Sequence, residues 1–259
     1  MGIGRRNGEK TMESISIVYY TSNYLDEHNP YFLENTRKQL ERAIGDKPLI
    51  VVSQKPVQWR RMTENVVMGD IGRSHLNIYW QILQGAKKAT TKWVAMAEDD
   101  ILYSEPHFNF WYFVKPEFME GDYFLYDMNK VSLFTWETKH PIFSYRSKRM
   151  VVNQLVAKRD MLVEAMEERF AKLVELRKIW EERKILKFWG DPGRYEDGLG
   201  VTIRKTYQYS SWIPSIVFSH EDALGYLTQG SKKKDGDLRI VELDDWGRAE
   251  DILKLYKKP

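Results

Sequence analysis

Residues Trp93–Tyr103 read WVAMAEDDILY, and this short segment indicates the architecture of the 259-residue chain. Its first five residues are apolar, which is typical of a strand that is buried on both faces of a parallel sheet. Three consecutive acids, Glu98, Asp99 and Asp100, follow directly. In open sheets that alternate with helices, ligands bind in the crevice at the carboxyl ends of the strands. The acids therefore occupy a position where a binding site is expected.

The sequence before this segment alternates between strand and helix patterns. Ser14–Tyr20 (SISIVYY) and Leu49–Val52 (LIVV) are β-branched and aromatic runs that predict two further buried strands. Apolar residues recur at helical spacing over Leu33–Ile44 and over Ser74–Ala89. This alternation is typical of a doubly wound α/β fold with right-handed crossovers. We predict a Rossmann-like, mixed but mainly parallel sheet that is flanked by helices.

The second half of the chain has a less regular pattern. Leu162, Ala165, Met166 and later apolar residues recur at helical spacing over 159–186, between charged stretches that include Glu167-Glu168-Arg169. This pattern predicts a long inserted helix with one side on the core and a solvated back. Shorter patterns predict strands at Tyr123–Tyr126, Ser132–Trp136, Met150–Ala157 and Trp212–His220, and a last strand and helix at Leu238–Leu243 and Arg248–Lys257.

Composition excludes several classes of site. The 40 Lys and Arg residues exceed the 37 Asp and Glu residues by only three, which is too small a surplus to indicate a polyanion as partner. The absence of cysteine excludes disulfides, thiolate metal sites and cysteine nucleophiles. No run of 18 apolar residues occurs, and Met1–Lys10 is too polar for a signal peptide. We therefore expect a cytoplasmic protein without membrane insertion.

The acidic triplet allows two interpretations. Adjacent carboxylates repel one another and are costly to desolvate unless a cation neutralises them. Oxygen ligands suit Mg²⁺ or Mn²⁺ better than zinc, so the triplet could hold such an ion. An exposed acidic turn is the alternative, because acids are common at strand ends. The spacing alone leaves both interpretations open.

Three motifs, in their order along the chain, resemble the GT-A glycosyltransferases, in which an Asp-x-Asp-type motif holds the metal of a nucleotide-sugar. Glu98-Asp99-Asp100 matches that motif. Tyr195-Glu196-Asp197 looks like the x-Glu-Asp motif, whose carboxylate is the acceptor base in inverting members. His220 in VFSHED looks like the C-terminal metal-binding histidine. The runs AEDDILYSEPHF and SSWIPSIVFSHEDALGYLT are also similar to phage and bacterial proteins of glycosyltransferase type, and the resemblance covers Ser14 to Thr228.

The resemblance implies a GT-A-like, metal-dependent transferase with a nucleotide-sugar donor, which we expect to be a uridine diphosphate sugar. It implies Mn²⁺ or Mg²⁺ as the cofactor, with metal ligands Glu98, Asp100 and His220. Asp197 is the favoured catalytic base, with Glu196 and the nearby Asp191 as alternatives. The polar residues expected to bind the donor at the strand exits are Thr21, Ser22, Asn23, Ser53, Arg73 and Asp99.

On this interpretation residues 1–13 are a flexible N-terminus and residues 14–259 form a single glycosyltransferase domain. Its parts are a nucleotide-sugar-binding half (14–103), an acceptor half (104–228) and a C-terminal basic loop, strand and helix (229–259).

The acceptor is less clearly indicated. Basic residues among aromatic ones suit a phosphate backbone and stacked bases. The resemblance to phage proteins implies hydroxymethylated DNA as the acceptor, slightly ahead of a cell-envelope glycan. A glycoside hydrolase, which also uses paired carboxylates, and a noncatalytic sugar-nucleotide-binding module remain alternatives. The residues in question are Arg146, Lys148, Arg149, Arg204, Lys205, Lys232, Lys233 and Lys234, with Tyr207, Tyr209 and Trp212.

Overall fold

The computed structural model of the protein describes residues 14–136, 138–145, 150–173, 175, 191–194, 196–221, 223 and 238–257. Its strands are β1 (Ile15–Thr21), β2 (Leu49–Ser53), β3 (Glu64–Val67), β4 (Trp93–Glu98), β5 (Ile101–Leu102), β6 (Tyr123–Asp127), β7 (Lys130–Phe134), β8 (Phe143–Tyr145), β9 (Leu155–Lys158), β10 (Lys205–Tyr209), β11 (Ser215–Ser219), β12 (Leu238–Ile240), β13 (Glu242–Leu243) and β14 (Gly247–Arg248). Its α-helices are α1 (Tyr24–His28), α2 (Pro30–Ile44), α3 (His75–Lys88), α4 (Glu105–Phe108), α5 (Pro116–Glu120), α6 (Arg159–Ala171), α7 (Glu196–Leu199) and α8 (Ala249–Leu253).

The larger sheet has seven strands in the order β10-β6-β9-β4-β1-β2-β3. Strand β1 pairs parallel with β2 and β4, β2 pairs parallel with β3, and β6 pairs parallel with β10. Only β9 runs against its neighbours β4 and β6. The protein is therefore a mixed α/β domain with a large, mainly parallel sheet flanked by helices, as the sequence predicts.

Helices cover both faces of this sheet. Buried residues of α2 pack on one face, and buried residues of α3 and α6 pack on the other. Helix α3 lies so close to β1 and β2 that a Cβ atom at Gly85 would be 2.3 Å from Cγ1 of Val18 and 2.9 Å from Cγ2 of Val52. The helix begins after Ser74, whose Oγ accepts a hydrogen bond from the backbone N of Asn77 at 3.1 Å and caps the first turn.

The two faces of the large sheet each carry a hydrophobic core. A second sheet of five strands, in the order β12-β8-β7-β11-β5, packs with α2 and α8 to form a third hydrophobic core. The sequence prediction had only one sheet. Strands β5 and β8 have two and three residues, too few for a recognisable period, so their pairing was not predicted. This sheet matters for the site because β5 begins directly after the acidic triplet.

Other predicted elements need correction. Met150–Ala157 is a strand only from Leu155, because a 3₁₀ turn at Val152–Gln154 precedes it. Strand β11 begins at Ser215 rather than at Trp212, directly after a proline that has no backbone N–H to donate. The predicted helix 159–186 is seen as α6 up to Ala171, and 176–190 lie outside the described residues, as do 1–13.

Within the part of the chain that the structure describes, no helix combines the length and apolar character needed to cross a membrane.

Candidate functional site

Glu98 ends β4 of the large sheet, and Asp99 and Asp100 form the turn to β5 of the small sheet. Strand β5 pairs antiparallel with β11, and the backbone N of Phe218 donates to the carbonyl of Asp100 at 3.0 Å. His220 follows the last residue of β11 and is therefore carried to the triplet. Its Nε2 lies 3.5 Å from Oδ2 of Asp100. The structure thus brings together two of the three predicted metal ligands.

The surroundings of Asp100 suit a cation. Its side chain is only 16% exposed, and its buried Oδ1 has no hydrogen-bond partner within the described residues. A buried acceptor without a donor is costly, and a metal ion would remove that cost. Ligand atoms at right angles around an ion of the size of Mg²⁺ are about 3 Å apart, so the separation of Asp100 and His220 fits one shared ion.

The rest of the coordination sphere must come from elsewhere. Among the described residues, no group of three or more His, Cys, Asp or Glu side chains is arranged to hold a metal ion. Mg²⁺-type sites are commonly built from one or two protein ligands, with substrate phosphate oxygens and water in the other positions. The Asp100–His220 pair therefore fits an ion that is completed by a phosphate-bearing ligand.

Glu98 has protein partners on both carboxyl oxygens. The hydroxyl of Tyr20 donates to Oε1 at 2.6 Å, and Nδ2 of Asn153 donates to Oε2 at 2.7 Å. Desolvation raises the pKa of Glu98 to about 8, and the charge of Asp100 adds to the rise. The role of Glu98 as a metal ligand stays a prediction. Its hydrogen bonds hold β1 and the turn before β9 to the end of β4.

Asp99 and Thr21, both predicted to bind the donor, bind each other. Oγ1 of Thr21 donates to Oδ2 of Asp99 at 2.6 Å, and Oγ1 of Thr36 donates to the Asp99 carbonyl at 3.0 Å. Desolvation raises the pKa of Asp99 to about 6, again with a contribution from Asp100. The carboxyl end of β1 is thereby fixed to the triplet.

The other polar residues at the strand exits join β1 to the loop after β2. Asn23, at a positive φ of 62°, accepts hydrogen bonds through Oδ1 from the backbone N of Gln54 at 2.9 Å and of Lys55 at 2.8 Å. Ser53 is buried and donates to the Lys55 carbonyl at 2.7 Å. Ser22 is partly exposed. Asn23 and Ser53 thus hold the exits of β1 and β2 together, and Ser22 directly precedes Asn23.

Arg73 lies at the start of α3, directly before the capping Ser74. Its guanidinium carbon is 4.1 Å from the centroid of the Tyr24 ring, and that ring stacks on His28 with 3.8 Å between centroids. The stack joins the N-terminal end of α3 to α1, which follows β1. An exposed cation is thereby held beside the exits of β1 and β2.

The carboxylate of Glu196 is buried and is engaged by the protein. Oε1 accepts from Nη2 of Arg169 at 2.9 Å and from the backbone N of Gly193 at 2.7 Å. Oε2 accepts from the backbone N of Arg204 at 3.0 Å. These bonds close the segment around α7 and pin it to α6. A carboxylate with these partners is suited to holding a loop rather than to taking a proton from a substrate.

Asp191 is similarly engaged, whereas Asp197 is exposed. Oδ1 of Asp191 accepts from the hydroxyl of Tyr79 at 2.9 Å, and Oδ2 accepts from Nη1 of Arg194 at 3.1 Å. Of the three carboxylates considered as a base, Asp197 alone is solvent-exposed, which favours it over Glu196 and Asp191.

A hydrogen-bonded path connects this segment with the acidic triplet. Nη1 of Arg194 donates to the carbonyl of Met150 at 2.7 Å. Met150 precedes the 3₁₀ turn that contains Asn153, and Asn153 donates to Glu98. These contacts link the segment that carries Asp197 to the turn that binds Glu98, while Glu196 of the same segment binds the backbone N of Arg204, directly before β10.

Sequence reasoning missed the residues that build this framework. Arg169 lies three, four and seven positions after Met166, Ala165 and Leu162, so helical spacing places it on the apolar face, where it is fully buried. That spacing could have identified it. Tyr20 gave a weaker signal, because the hydroxyl of a tyrosine in a buried strand needs a partner. Asn153 gave none, since its contact depends on tertiary structure.

The predicted basic surface is only partly described. Arg204 has a side chain that is 7% exposed and pairs with Glu168 at 2.7 Å and Glu164 at 3.1 Å. Lys205 opens β10 at the amino ends of the strands, opposite the triplet, and Tyr207 stacks on Phe118 at 3.9 Å. The remaining basic residues of that prediction lie outside the described part: Arg146, Lys148, Arg149, Lys232, Lys233 and Lys234.

Comparison with known proteins gives distant likenesses. No family model and no curated protein matches the chain. It is similar to the bifunctional IspDF from Campylobacter jejuni, with 10% identity and a TM-score of 0.41 over 76% of this chain and 50% of that one. A CMP:2-keto-3-deoxy-manno-octonic acid synthetase complexed with CTP has the same identity and TM-score over 76% and 90% of the two chains. Apo-form glycosyltransferase GlyE of Streptococcus pneumoniae TIGR4 has 10% identity and a TM-score of 0.34 over 75% and 45%.

The chain thus spans about half the length of IspDF and of GlyE. At such low identity these likenesses concern the course of the chain through an α/β fold, and the chemistry of the site is argued from its own residues.

Proposed function

We propose that this protein is a metal-dependent, GT-A-like glycosyltransferase that moves a sugar from a nucleotide-sugar, by preference a uridine diphosphate sugar, to an acceptor hydroxyl. One observation carries the proposal. At the junction of the two sheets, Asp100 and His220 lie 3.5 Å apart, and Oδ1 of Asp100 is buried with no hydrogen-bond partner among the described residues. A phosphate-bearing ligand with a divalent cation satisfies this site.

The donor half of the crevice has the charges that a diphosphate needs. Bound by Asp100 and His220, Mn²⁺ or Mg²⁺ supplies positive charge that stabilises the diphosphate leaving group. The guanidinium of Arg73 adds a second cation, and the N-terminal end of α3 behind it favours an anion. The exits of β1 and β2, held together by Asn23 with Ser22 beside it, offer a floor for the base and ribose.

The acceptor half needs a base in an inverting transfer. As the bond from the sugar carbon to the diphosphate oxygen breaks, the sugar becomes oxocarbenium-like and the attacking hydroxyl loses its proton. Asp197 is exposed on α7, and in this proposal it accepts that proton. Glu196 and Asp191 hold the segment in place through their protein partners.

The ion pairs of Arg204 favour a glycan over DNA as acceptor. Its charge is neutralised by two glutamates, and Lys205 lies at the amino ends of the strands, away from the triplet. A hydroxymethylated DNA base remains the alternative acceptor, and that alternative rests on Lys232–Lys234. A salt-dependent affinity for DNA distinguishes the two classes, because binding to phosphates releases counterions.

Calorimetric titration of UDP into the protein, with and without Mn²⁺, tests the proposal. We expect binding that requires Mn²⁺ and is lost in Asp100→Asn. Asp122→Asn is the matched control, because its side chain is 86% exposed at the amino ends of the strands. A panel of UDP-sugars with glycans, plain DNA and hydroxymethylated DNA then identifies donor and acceptor. Nucleotide-independent cleavage of glycosides would support a glycoside hydrolase instead, and nucleotide binding without turnover of any donor would support a noncatalytic module.

A further inference from the structure

Arg169 and Glu196 form an ion pair in the interior of the protein. Their side chains are 0% and 3% exposed, and Nη2 of Arg169 is 2.9 Å from Oε1 of Glu196. Nη1 of Arg169 also donates to the carbonyl of Ala165 one turn earlier in α6, at 3.1 Å. The arginine is thus fixed in its own helix, and one face of its guanidinium is directed at the segment around α7.

Stability alone explains such a pair poorly. Both charges lose their hydration on burial, and replacing a buried ion pair by apolar residues is often neutral or stabilising. Arg169 takes a position that the helical pattern of α6 would give to an apolar residue. A buried pair in that place is weak evidence for added stability, and its geometry fixes a defined arrangement of the groups that it joins.

The arrangement concerns the segment that carries Asp197. Glu196 gathers the backbone N of Gly193 on one side of α7 and that of Arg204 on the other, and so closes the segment on itself. Because Glu196 also binds Arg169, the closed segment is attached to α6. The neighbouring Asp197 is then held at one fixed place while its own side chain stays exposed.

We propose that the buried Arg169–Glu196 pair is a positioning device, which fixes the place of α7 and thereby of Asp197, and acts on sugar transfer through it. The inference rests on the proposed function for the role of Asp197. Neither member of the pair touches the Asp100–His220 pair in the structure, so binding of Mn²⁺ and UDP is independent of it. Loss of the pair therefore lowers turnover and leaves nucleotide affinity unchanged.

The double variant Arg169→Met/Glu196→Gln removes both charges together, which avoids leaving a single unpaired charge in the interior. Backbone hydrogen exchange over 191–204 reports the order of the segment, and UDP titration with Mn²⁺ reports the donor site. We expect exchange over 191–204 to rise about tenfold, from local opening. Sugar transfer should fall about 100-fold through misplacement of the base. UDP affinity and the exchange of β4 should stay as in the wild type.

Controls separate positioning from a purely structural role. Arg159→Met removes a partly exposed arginine of the same helix and should change none of these quantities. The single variant Arg169→Lys keeps a positive charge beside Glu196 and should therefore retain more turnover than the double variant. Unchanged exchange over 191–204 in the double variant, or a loss of UDP affinity in parallel with turnover, would overturn the inference. A wild-type protein that binds no UDP in the presence of Mn²⁺ overturns the proposed function itself, and the exchange data still decide whether the pair orders the segment.

Discussion

Nε2 of His220 lies 3.5 Å from Oδ2 of Asp100, although the two residues are far apart in the sequence. Strand β11 pairs with β5 through Ile216 with Leu102 and Val217 with Ile101, and the backbone N of Phe218 binds the Asp100 carbonyl, so that the two side chains come together. The geometry of the proposed metal site therefore depends on the small sheet, although its carboxylate comes from the turn that ends a strand of the large one.

His220→Asn should weaken the binding of Mn²⁺ and of UDP together, because both depend on the same ion. We expect at least about a tenfold loss of affinity for each. Titration of UDP at a series of Mn²⁺ concentrations measures both affinities, and exposed His140 provides the control variant His140→Asn. Unaltered UDP affinity in the presence of Mn²⁺ would assign His220 to packing against Phe32 and Tyr256.

Asp100→Asn should have opposite effects on activity and on the stability of the metal-free protein. Removal of the ligand should lower sugar transfer by about 100-fold or more, since the leaving group loses its charge stabilisation. In EDTA, the free energy of unfolding should rise, because the charge of Asp100 raises the pKa values of Glu98 and Asp99. Urea denaturation in EDTA measures this, and a near-native kcat at ordinary Mn²⁺ concentrations would contradict the metal assignment.

Gly85→Ala should lower the free energy of unfolding by about 1–3 kcal/mol, because the new methyl group overlaps Val18 and Val52 and pushes α3 from the sheet. Urea denaturation checks the value. Gly198→Ala is the control, since a Cβ there meets nothing within 4 Å, and alanine favours its helix by up to about 1 kcal/mol. Equal stability of the wild type and Gly85→Ala would show that the contact between α3 and the sheet adjusts freely.

The elements that sequence identified correctly are those whose pattern is local. Strands β1 and β4 are continuous apolar runs, and α2 and α3 carry their apolar residues on one side, so periodicity predicted all four. Strand β3 (ENVV) is a half-exposed edge, and β10 (KTYQY) alternates without a clear apolar face. Edge strands of this kind are stabilised by pairing with one neighbour, which the sequence does not record.

The same distinction applies to the site. The triplet and His220 stand at strand ends, so the order of the motifs was sufficient to predict Asp100 and His220 as partners. The contacts of Glu98 with Tyr20 and Asn153 depend on the ends of β1 and β4 meeting the turn before β9, and no local pattern encodes that. Arg169 was assigned to a solvated back because its neighbours are charged, whereas the packing of α6 buries it.

Arg204→Met should destabilise the protein in a pH-dependent way through Glu168. Partial burial raises the pKa of Glu168, but hydrogen bonds from Arg204 and Thr202 outweigh it and lower that pKa below its ordinary value of 4.5. A carboxyl whose pKa is lower in the folded state than in the unfolded state stabilises the fold at pH values above its unfolded-state pKa. This contribution is lost as the pH falls through the folded-state pKa.

The free energy of unfolding should therefore drop by about 1.5–3 kcal/mol near neutral pH in Arg204→Met, with a smaller difference in acid. Urea denaturation over a pH series measures the difference. Lys254→Met removes a lysine that is 65% exposed and should have little effect at any pH. A difference between Arg204→Met and the wild type that stays constant down to strong acid would exclude Glu168 as its source.

Asp197→Asn should abolish the transfer of sugar while the donor site stays intact. Asparagine has the shape of aspartate but accepts no proton, so the acceptor hydroxyl attacks without a base and kcat falls by about 100–10,000-fold. UDP affinity with Mn²⁺ should equal that of the wild type, because Asp197 is exposed on α7 and Asp100 and His220 are unchanged. Asp191→Asn distinguishes the neighbouring carboxylate: its oxygens are held by Tyr79 and Arg194, so it should lose stability before it loses turnover. If Asp191→Asn removes turnover and Asp197→Asn does not, the base is Asp191, and the segment must open during the reaction to release it.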